Sequence, residues 1–479
     1  MSVRSIRPSS SKSCRNRAVR PSLEGLEGRL LLYSTTGNHF EFGSRITWSI
    51  VPDGTNLGGV NSNLISTFNN KFGAGNWQRS IQEAFAIWQS AANINFVQVS
   101  DDGSATNSGN YQQGSPVIGD IRIGGFAQSS GILGFTLLPP VANGGSDSGD
   151  IFLNSSQIWN IGSNYDLESV MLHEIGHSLG LGHSTDTNAI MEPYYDGVQQ
   201  YLGSDDINGI QSIWNSRQQD GLTQGNQNFW WNKAANLNPF INNLNQIILG
   251  PLSVTSPSTS YWMKVTTPAN ANSTFSVVVQ SSNLSMLSPK VQIYNSNLQG
   301  LSQVAAPTTS YGAVIGTAIF NATPNTLYYI RVSASNAGPN GTGAYGLLVN
   351  MGNYNPPLLS PPNTQVLAQS DQGGGASYIE SNNGDETGQE NHDGPTNYIG
   401  KSKFAANAKE GWIQFGDSWR QGDYYSISPK SSNQKNNKSV ESILIPIDPQ
   451  MGDLLKSNKS EKKEMASVLI GLAHPDGML

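Results

Sequence analysis

The chain has 479 residues, 37% hydrophobic and 13% charged, with 51 Gly, 24 Pro, 6 His, 1 Cys and a formal net charge of −7. The length exceeds one ordinary domain, and scarce charge alongside abundant Gly, Ser, Thr and Asn favours β-rich architecture with long loops. One Cys excludes both an intrachain disulfide framework and a Cys-based zinc site, so any metal must rest on His and carboxylates.

Residues 1–43 hold 7 Lys/Arg against 3 Asp/Glu and read as a basic leader. Its apolar patch, Leu30 to Leu32, is far shorter than the roughly 7–15 residue stretch of an ordinary signal peptide. The LEGLEGRLLL string resembles the short basic leaders with an LExLExR-LL core on some exported bacterial surface proteins, which implies export. A tail with no targeting role is the competing reading. Cys14, within SCRNR, reads as a free thiol. No apolar run anywhere reaches the roughly 18 residues of a membrane span. No later segment is basic enough to track a phosphate backbone, so nucleic acid is not expected as a partner.

Residues 44–217 hold 5 Lys/Arg against 15 Asp/Glu. RITWSIVP (Arg45 to Pro52) reads as an opening strand. Trp77, Ile81, Phe85 and Trp88 fall at helical spacing and give the apolar face of a first helix. INFVQVS, GDIRIGGF and GDIFLNSSQIW read as further strands.

Three of the six His then fall within eleven residues, HEIGHSLGLGH, at His173, His177 and His183. Leu167, Val170, Met171, Ile175 and Leu179 predict a helix over Asp166 to Leu179 with one buried stripe, and Ser163, Asn164 and Asp166 are candidate N-caps. Residues four apart share a helix face, so both imidazoles can reach one ion. Gly180 allows a sharp turn that returns His183 as a third ligand. Three protein ligands leave a position for water, which suits a catalytic zinc, and Glu174 is placed to take that water's proton in amide hydrolysis.

The motif is the signature of metzincins. STDTNAIMEPYY after it, and SDDINGIQSIW beyond, resemble the matrixin family of metzincins, which contains the matrix metalloproteases. The resemblance spans about 170 residues. It implies an α+β fold, a twisted mixed sheet with three helices, and secreted zinc endopeptidase activity on protein or peptide substrates. It further implies that Met191 forms the turn beneath the zinc ligands and that Pro193 and Tyr195 line the pocket after the scissile bond. GDIFLNSSQIW becomes the edge strand against which an extended peptide pairs. Asp205 and Asp206 are taken as buried structural carboxylates in the last helix. Neither Tyr194 nor Tyr195 is assigned a catalytic role, because Pro193 stands two residues after the methionine, where related metzincins place a tyrosine.

Departures from the family set further expectations. Residues 44–217 have no His beyond the three, so one catalytic zinc and no second structural zinc is expected. Structural calcium at Asp120, Asp147 and Asp150 stays open beside the reading of solvated loop carboxylates. The Cys14 segment does not resemble a cysteine switch. His39, His392 and His474 are left as bystanders.

Residues 218–236 read as a linker. Over 237–352, SYWMKVTTP, STFSVVVQ, PKVQIYN, TLYYIRVSA and GAYGLLVNM alternate between turn signals and predict an antiparallel β-sandwich. YWMKVTTP, LYYIRV and GAYGLLV resemble PPC-type domains attached to secreted bacterial peptidases, implying an accessory for cell-surface or matrix association. Trp262, Tyr328 and Tyr345 there are read as core. Residues 353–479 are polar, Gly/Asn/Ser-rich, and expected to be mostly disordered, with SILIPI and ASVLIGL as short apolar pieces. The alternative to an endopeptidase is a surface adhesin that uses the metzincin-like scaffold without cleaving. The expected location is extracellular or at the cell surface.

Overall fold

The computed structural model describes residues 33–362 apart from 110, 130 and 141–144, together with strands at 366–367, 409–415 and 418–429. The leader through residue 32, including Cys14, lies outside the described residues, as do His392, His474, SILIPI and ASVLIGL.

Short apolar strands build the first sheet. In chain order the first half runs β1 (Ile46–Ile50), α1 (Leu64–Phe72), α2 (Asn76–Ala91), β2 (Phe96–Gln98), β3 (Gln112–Gln113), β4 (Ile121–Phe126), β5 (Gly134–Leu137), β6 (Ile151–Asn154), α3 (Leu167–Ser178), β7 (Tyr194–Tyr195), α4 (Ser204–Trp214) and a short α5 (Gly221–Asn226). The order β5-β6-β4-β1-β2 is parallel except where β5 runs antiparallel to β6. Mixed α+β architecture follows from helices covering this sheet: Trp48 of β1 stacks on Phe85 of α2 at 4.6 Å, and Trp77, Ile81 and Trp88 are fully buried.

Several expectations change. α1 is an extra helix; only Leu64 and Phe68 are buried on it, one pair four residues apart in an Asn-rich stretch, so its amphipathic signal is weak. β6 is an interior strand and not the edge, because β5 (GFTL) pairs on its outer side. Four residues between Gly131 and Pro139 read as loop until β6 offers them a partner. Finally, α3 is buried on every side and not along one stripe, since it runs through the middle of the core.

The second half contains β8 (Ala235–Asn236), β9 (Gln246–Val254), β10 (Ser260–Thr266), β11 (Thr274–Gln280), β12 (Pro289–Asn295), β13 (Gly300–Ala305), β14 (Val314–Phe320), β15 (Leu327–Ala334) and β16 (Gly343–Asn350). They form two sheets, β13-β12-β15-β10-β8 and β14-β11-β16-β9, antiparallel except for the β8–β10 pair. Alternate residues of β10, Tyr261, Met263 and Val265, turn inward with Val277, Ile330 and Leu347 to form one core. Tyr328 and Tyr345 belong to it, while Trp262 is half-buried against Tyr294 and Arg331. The two sheets are not a sharply separate body. Met286 packs in the first core, and buried Gln89 of α2 bonds Thr342 O at 2.7 Å and Met286 N at 3.2 Å. The expected linker is likewise structured, with Asp220 capping α5 and Leu222 and Phe229 packed on the second core.

In the stretch expected to be mostly disordered, β17 (Val366–Leu367) pairs with β3, and β18 (Lys409–Phe415) forms a hairpin with β19 (Ser418–Pro429). β19 also adds to β5, so the full first sheet is β18-β19-β5-β6-β4-β1-β2, with β7 paired to β19. Polar composition concealed this hairpin, because backbone pairing requires no particular side chain.

Candidate metal centre

Asp166 starts α3: its carboxylate accepts from Ser169 N at 2.9 Å, making it the N-cap among the three candidates. Gly180 follows the helix at φ +101°, and a Cβ there would lie 2.2 Å from the Asn38 carbonyl oxygen. Only glycine fits this turn. The turned chain is strapped by residues from within the segment read as a leader: Thr36 N bonds Gly180 O at 2.8 Å, Gly182 N bonds Ser34 O at 2.9 Å, and Ser34 Oγ bonds His183 O at 2.9 Å. Residues 34–40 therefore belong to the folded unit, with Phe40 in its core.

His173, His177 and His183 converge, each offering one donor atom within 4.8 Å of the others. Nδ1 of His173 lies 2.8 Å from Ile190 O, and Nδ1 of His177 lies 2.8 Å from Leu181 O. A carbonyl oxygen only accepts, so both Nδ1 atoms carry the proton and both Nε2 atoms carry a lone pair. Those Nε2 atoms face each other at 3.0 Å. Two lone pairs at that distance repel unless a cation lies between them, and burial opposes supplying a proton: it pushes His173 down to about 4 and His177 well below the usual imidazole range. Zinc fits this donor set, since tetrahedral nitrogen ligands at about 2.0–2.1 Å from the ion sit roughly 3.3 Å apart.

Glu174 is fully buried beside the triad. Its Oε2 accepts from Thr136 Oγ1 of β5 at 2.6 Å, and its Oε1 is buried without a hydrogen-bond partner. Burial pushes this carboxyl up to about 8, with the Thr136 hydroxyl pulling the other way. Met191 lies under α3: a Cβ at Gly176 would be 2.3 Å from its Sδ, so the sulfur rests on the helix backbone between His173 and His177. Asp206 holds that turn by accepting from Ile190 N at 2.8 Å, Met191 N at 3.2 Å and Gly203 N at 2.7 Å, while Asp205 accepts from Ser184 Oγ at 2.5 Å. Tyr195 is buried with its hydroxyl accepting from Asp166 N at 2.9 Å. A cavity of about 110 Å³ opens here, lined by Ser169, Ile190, Tyr194, Tyr195 and Val198 among others; Pro193 sits beside it without lining it.

The carboxylates held open for calcium are buried and not solvated. Asp120 accepts from Thr47 N at 2.7 Å and Gly114 N at 2.6 Å, and Asp150 accepts from Arg122 N at 2.8 Å. Among the described residues, the three clustered histidines are the one group of three or more His, Cys, Asp or Glu side chains arranged to hold an ion. His39 stands apart, edge-on to Trp214 at 5.2 Å. Thr136, Gly176 and the strap at residues 34–38 were missed by the sequence reading. Their contributions are a tertiary hydrogen bond, a missing Cβ and backbone bonds, none of which leaves a motif.

The Matrixin family profile matches residues 62–215, the stretch that carries the triad. Those residues form a matrixin-type domain with a three-histidine zinc-binding triad. Karilysin of Tannerella forsythia is 34% identical over 143 residues, 29% of this chain and 28% of that protein. The hatching enzyme of Paracentrotus lividus is 35% identical over 150 residues (30% and 23%), and human neutrophil collagenase 36% over 141 (29% and 28%). The chain thus spans about a quarter of the length of these curated relatives. A solved structure, the pre-peptidase C-terminal domain of a collagenase from Bacillus anthracis, matches 22% of this chain and 87% of that one at 15% identity. Its TM-score of 0.15 is too low to carry an argument about the second half. No helix of the described residues is long and apolar enough to cross a membrane.

Proposed function

We propose that the matrixin-type domain is a zinc-dependent endopeptidase in which Glu174 is the general base. The observation that carries this reading is the buried, partnerless Oε1 of Glu174 beside three convergent imidazoles. Zinc, when bound, polarises a carbonyl and lowers the pKa of its water to roughly 7. His173 and His177 are locked as neutral Nε2 donors by the Ile190 and Leu181 carbonyls. Thr136 fixes Glu174 Oε2, which leaves Oε1 to take the proton of the attacking water and deliver it to the leaving amine. Met191 supports the ligand helix from below, and Tyr195, held by Asp166 N, walls the cavity that receives the side chain after the cut.

In this reading one catalytic zinc serves the chain, without a second structural zinc. The protein works outside the cell or at its surface on protein or peptide substrates, as its resemblance to the matrixins implies. Residues 237–352 are read as a PPC-like accessory of bacterial type. Zinc-loaded full-length protein should cleave a quenched peptide library, and Glu174→Gln should lower that rate by about 10²–10⁴-fold while keeping one zinc per chain and an unchanged melting curve. A chelator should abolish cleavage and stoichiometric zinc restore it. Full activity in Glu174→Gln would refute the mechanism; zinc-loaded wild type that cleaves nothing would favour the adhesin.

A further inference from the structure

The strand over Glu174 is already occupied by the chain itself. Backbone groups alternate along β5. Leu137 N bonds Asp150 O at 3.0 Å and Asn154 N bonds Leu133 O at 2.9 Å, so the odd-numbered positions face β6. The amides of Gly134 and Thr136 consequently face outward. These two residues also lie directly above the base: Thr136 binds Glu174, and a Cβ at Gly134 would sit 3.3 Å from Glu174 Oε1. An extended peptide recognised by strand addition needs this outer edge.

β19 takes it. The register sets Tyr425 opposite Thr136 and Ile427 opposite Gly134, in antiparallel pairing. The same strand continues so that Ser428 and Pro429 run parallel to Tyr194 and Tyr195 on β7, at the rim of the 110 Å³ cavity. Along the way it packs against α3, which carries His173, Glu174 and His177. Residues 424–429 therefore thread a groove with β5 on one side and β7 on the other. Each edge has one row of backbone donors and acceptors, so β19 and a substrate strand exclude each other.

We propose that residues 418–429 are a built-in pseudosubstrate that occupies the peptide groove and holds the full-length chain in a self-blocked state. The inference rests on the peptidase reading for its effect on rate, and on backbone register alone for its placement. A segment of the same chain competes at an effective concentration of roughly millimolar. If its intrinsic dissociation constant is about 100 μM, substrate access falls by about tenfold.

The test uses the full-length protein, wild type and Tyr425→Pro/Ile427→Pro, which removes the two amides set opposite Thr136 and Gly134. In wild type the Gly134 and Thr136 amides should exchange slowly with deuterium. In the variant they should exchange at least about tenfold faster, and a quenched peptide should be cleaved about tenfold faster. A synthetic peptide of sequence 418–429 should return the variant towards the wild-type rate, raising KM without changing kcat. Fast exchange of both amides in wild type overturns the placement without needing any variant, and equal cleavage rates in the two proteins overturn the self-blocking. If every form has protected amides and none cleaves, the peptidase reading falls and the self-blocking falls with it.

Discussion

Thr136→Val removes the hydroxyl that orients the proposed base. The substitution keeps the β-branched shape in a fully buried site and removes only the hydroxyl that donates to Glu174 Oε2 at 2.6 Å and to the Glu174 carbonyl oxygen at 3.1 Å. A hydrogen bond to a charged partner is worth about 1.5–3 kcal/mol. Expressed wholly in the transition state, that is roughly a 10- to 150-fold loss of kcat at little change in KM. The sign of the pH effect follows as well. The lost bond favoured the ionised carboxylate, so its removal raises the pKa of a base that works when ionised, and the acid limb of kcat moves to higher pH. Thr136→Ser keeps the hydroxyl and should recover most of the rate. The assay is steady-state cleavage of a quenched peptide across pH, with zinc measured per chain. Zinc should stay at one, since Thr136 bonds no ligand histidine. Wild-type kcat in Thr136→Val, or a Ser variant as slow as the Val variant, would show that the Thr136–Glu174 contact is structural.

Two further outcomes follow from buried groups outside the metal ligands. Burial raises Asp120 to about 6 from 3.8, so the folded state holds its proton more tightly than the unfolded state. Stability from this group is therefore fully present below about pH 4 and is lost as pH rises to about 6, by about 3 kcal/mol. Urea melts of Asp120→Asn should lack that part of the slope, and an unchanged slope would rule Asp120 out as its source. Gly180→Ala meets both a positive φ and the Asn38 carbonyl. It should cost about 1–3 kcal/mol in urea midpoint from backbone strain and reduce zinc retention, because the Leu181 carbonyl orients His177; a loss below about 0.5 kcal/mol would mean that the turn can relax.

Legibility in the sequence followed the range of the interactions. His173, His177, Glu174 and Gly180 were readable because helix periodicity and one special φ act within eleven residues, and Asp166 was readable as a cap for the same reason. β5 was not. A strand of four residues carries almost no periodic signal, and what makes GFTL a strand is β6 on one side and β19, nearly 300 residues later in the chain, on the other. Thr136 fell with it, since its importance lies in facing Glu174 across 38 residues of sequence. α3 was misjudged in degree: five apolar positions suggested a stripe, yet Ser169, Ser178 and both histidines are also buried because each has a partner inside the protein. Burial of a polar residue is decided by its partner, which a single helix does not reveal.

The same logic explains why the second half is not simply a tethered accessory. Adjacent residues on α2 face different neighbours: Trp88 Nε1 donates to Leu172 O of the ligand helix at 2.9 Å, while Gln89 binds Phe96 N, Met286 N and Thr342 O. Gln89 is fully buried, and two of its three partners, Met286 N and Thr342 O, come from the two-sheet unit. Without residues 237–352, an amide side chain and the face of α2 around it would be open to water, and Trp88 sits one residue away holding the backbone of the metal-binding helix. The charged anchor Arg217 lies on the same seam, its guanidinium donating to the Gln89 and Ile94 carbonyls. The two-sheet unit thus bonds α2 one residue from the tryptophan that bonds the histidine-bearing helix.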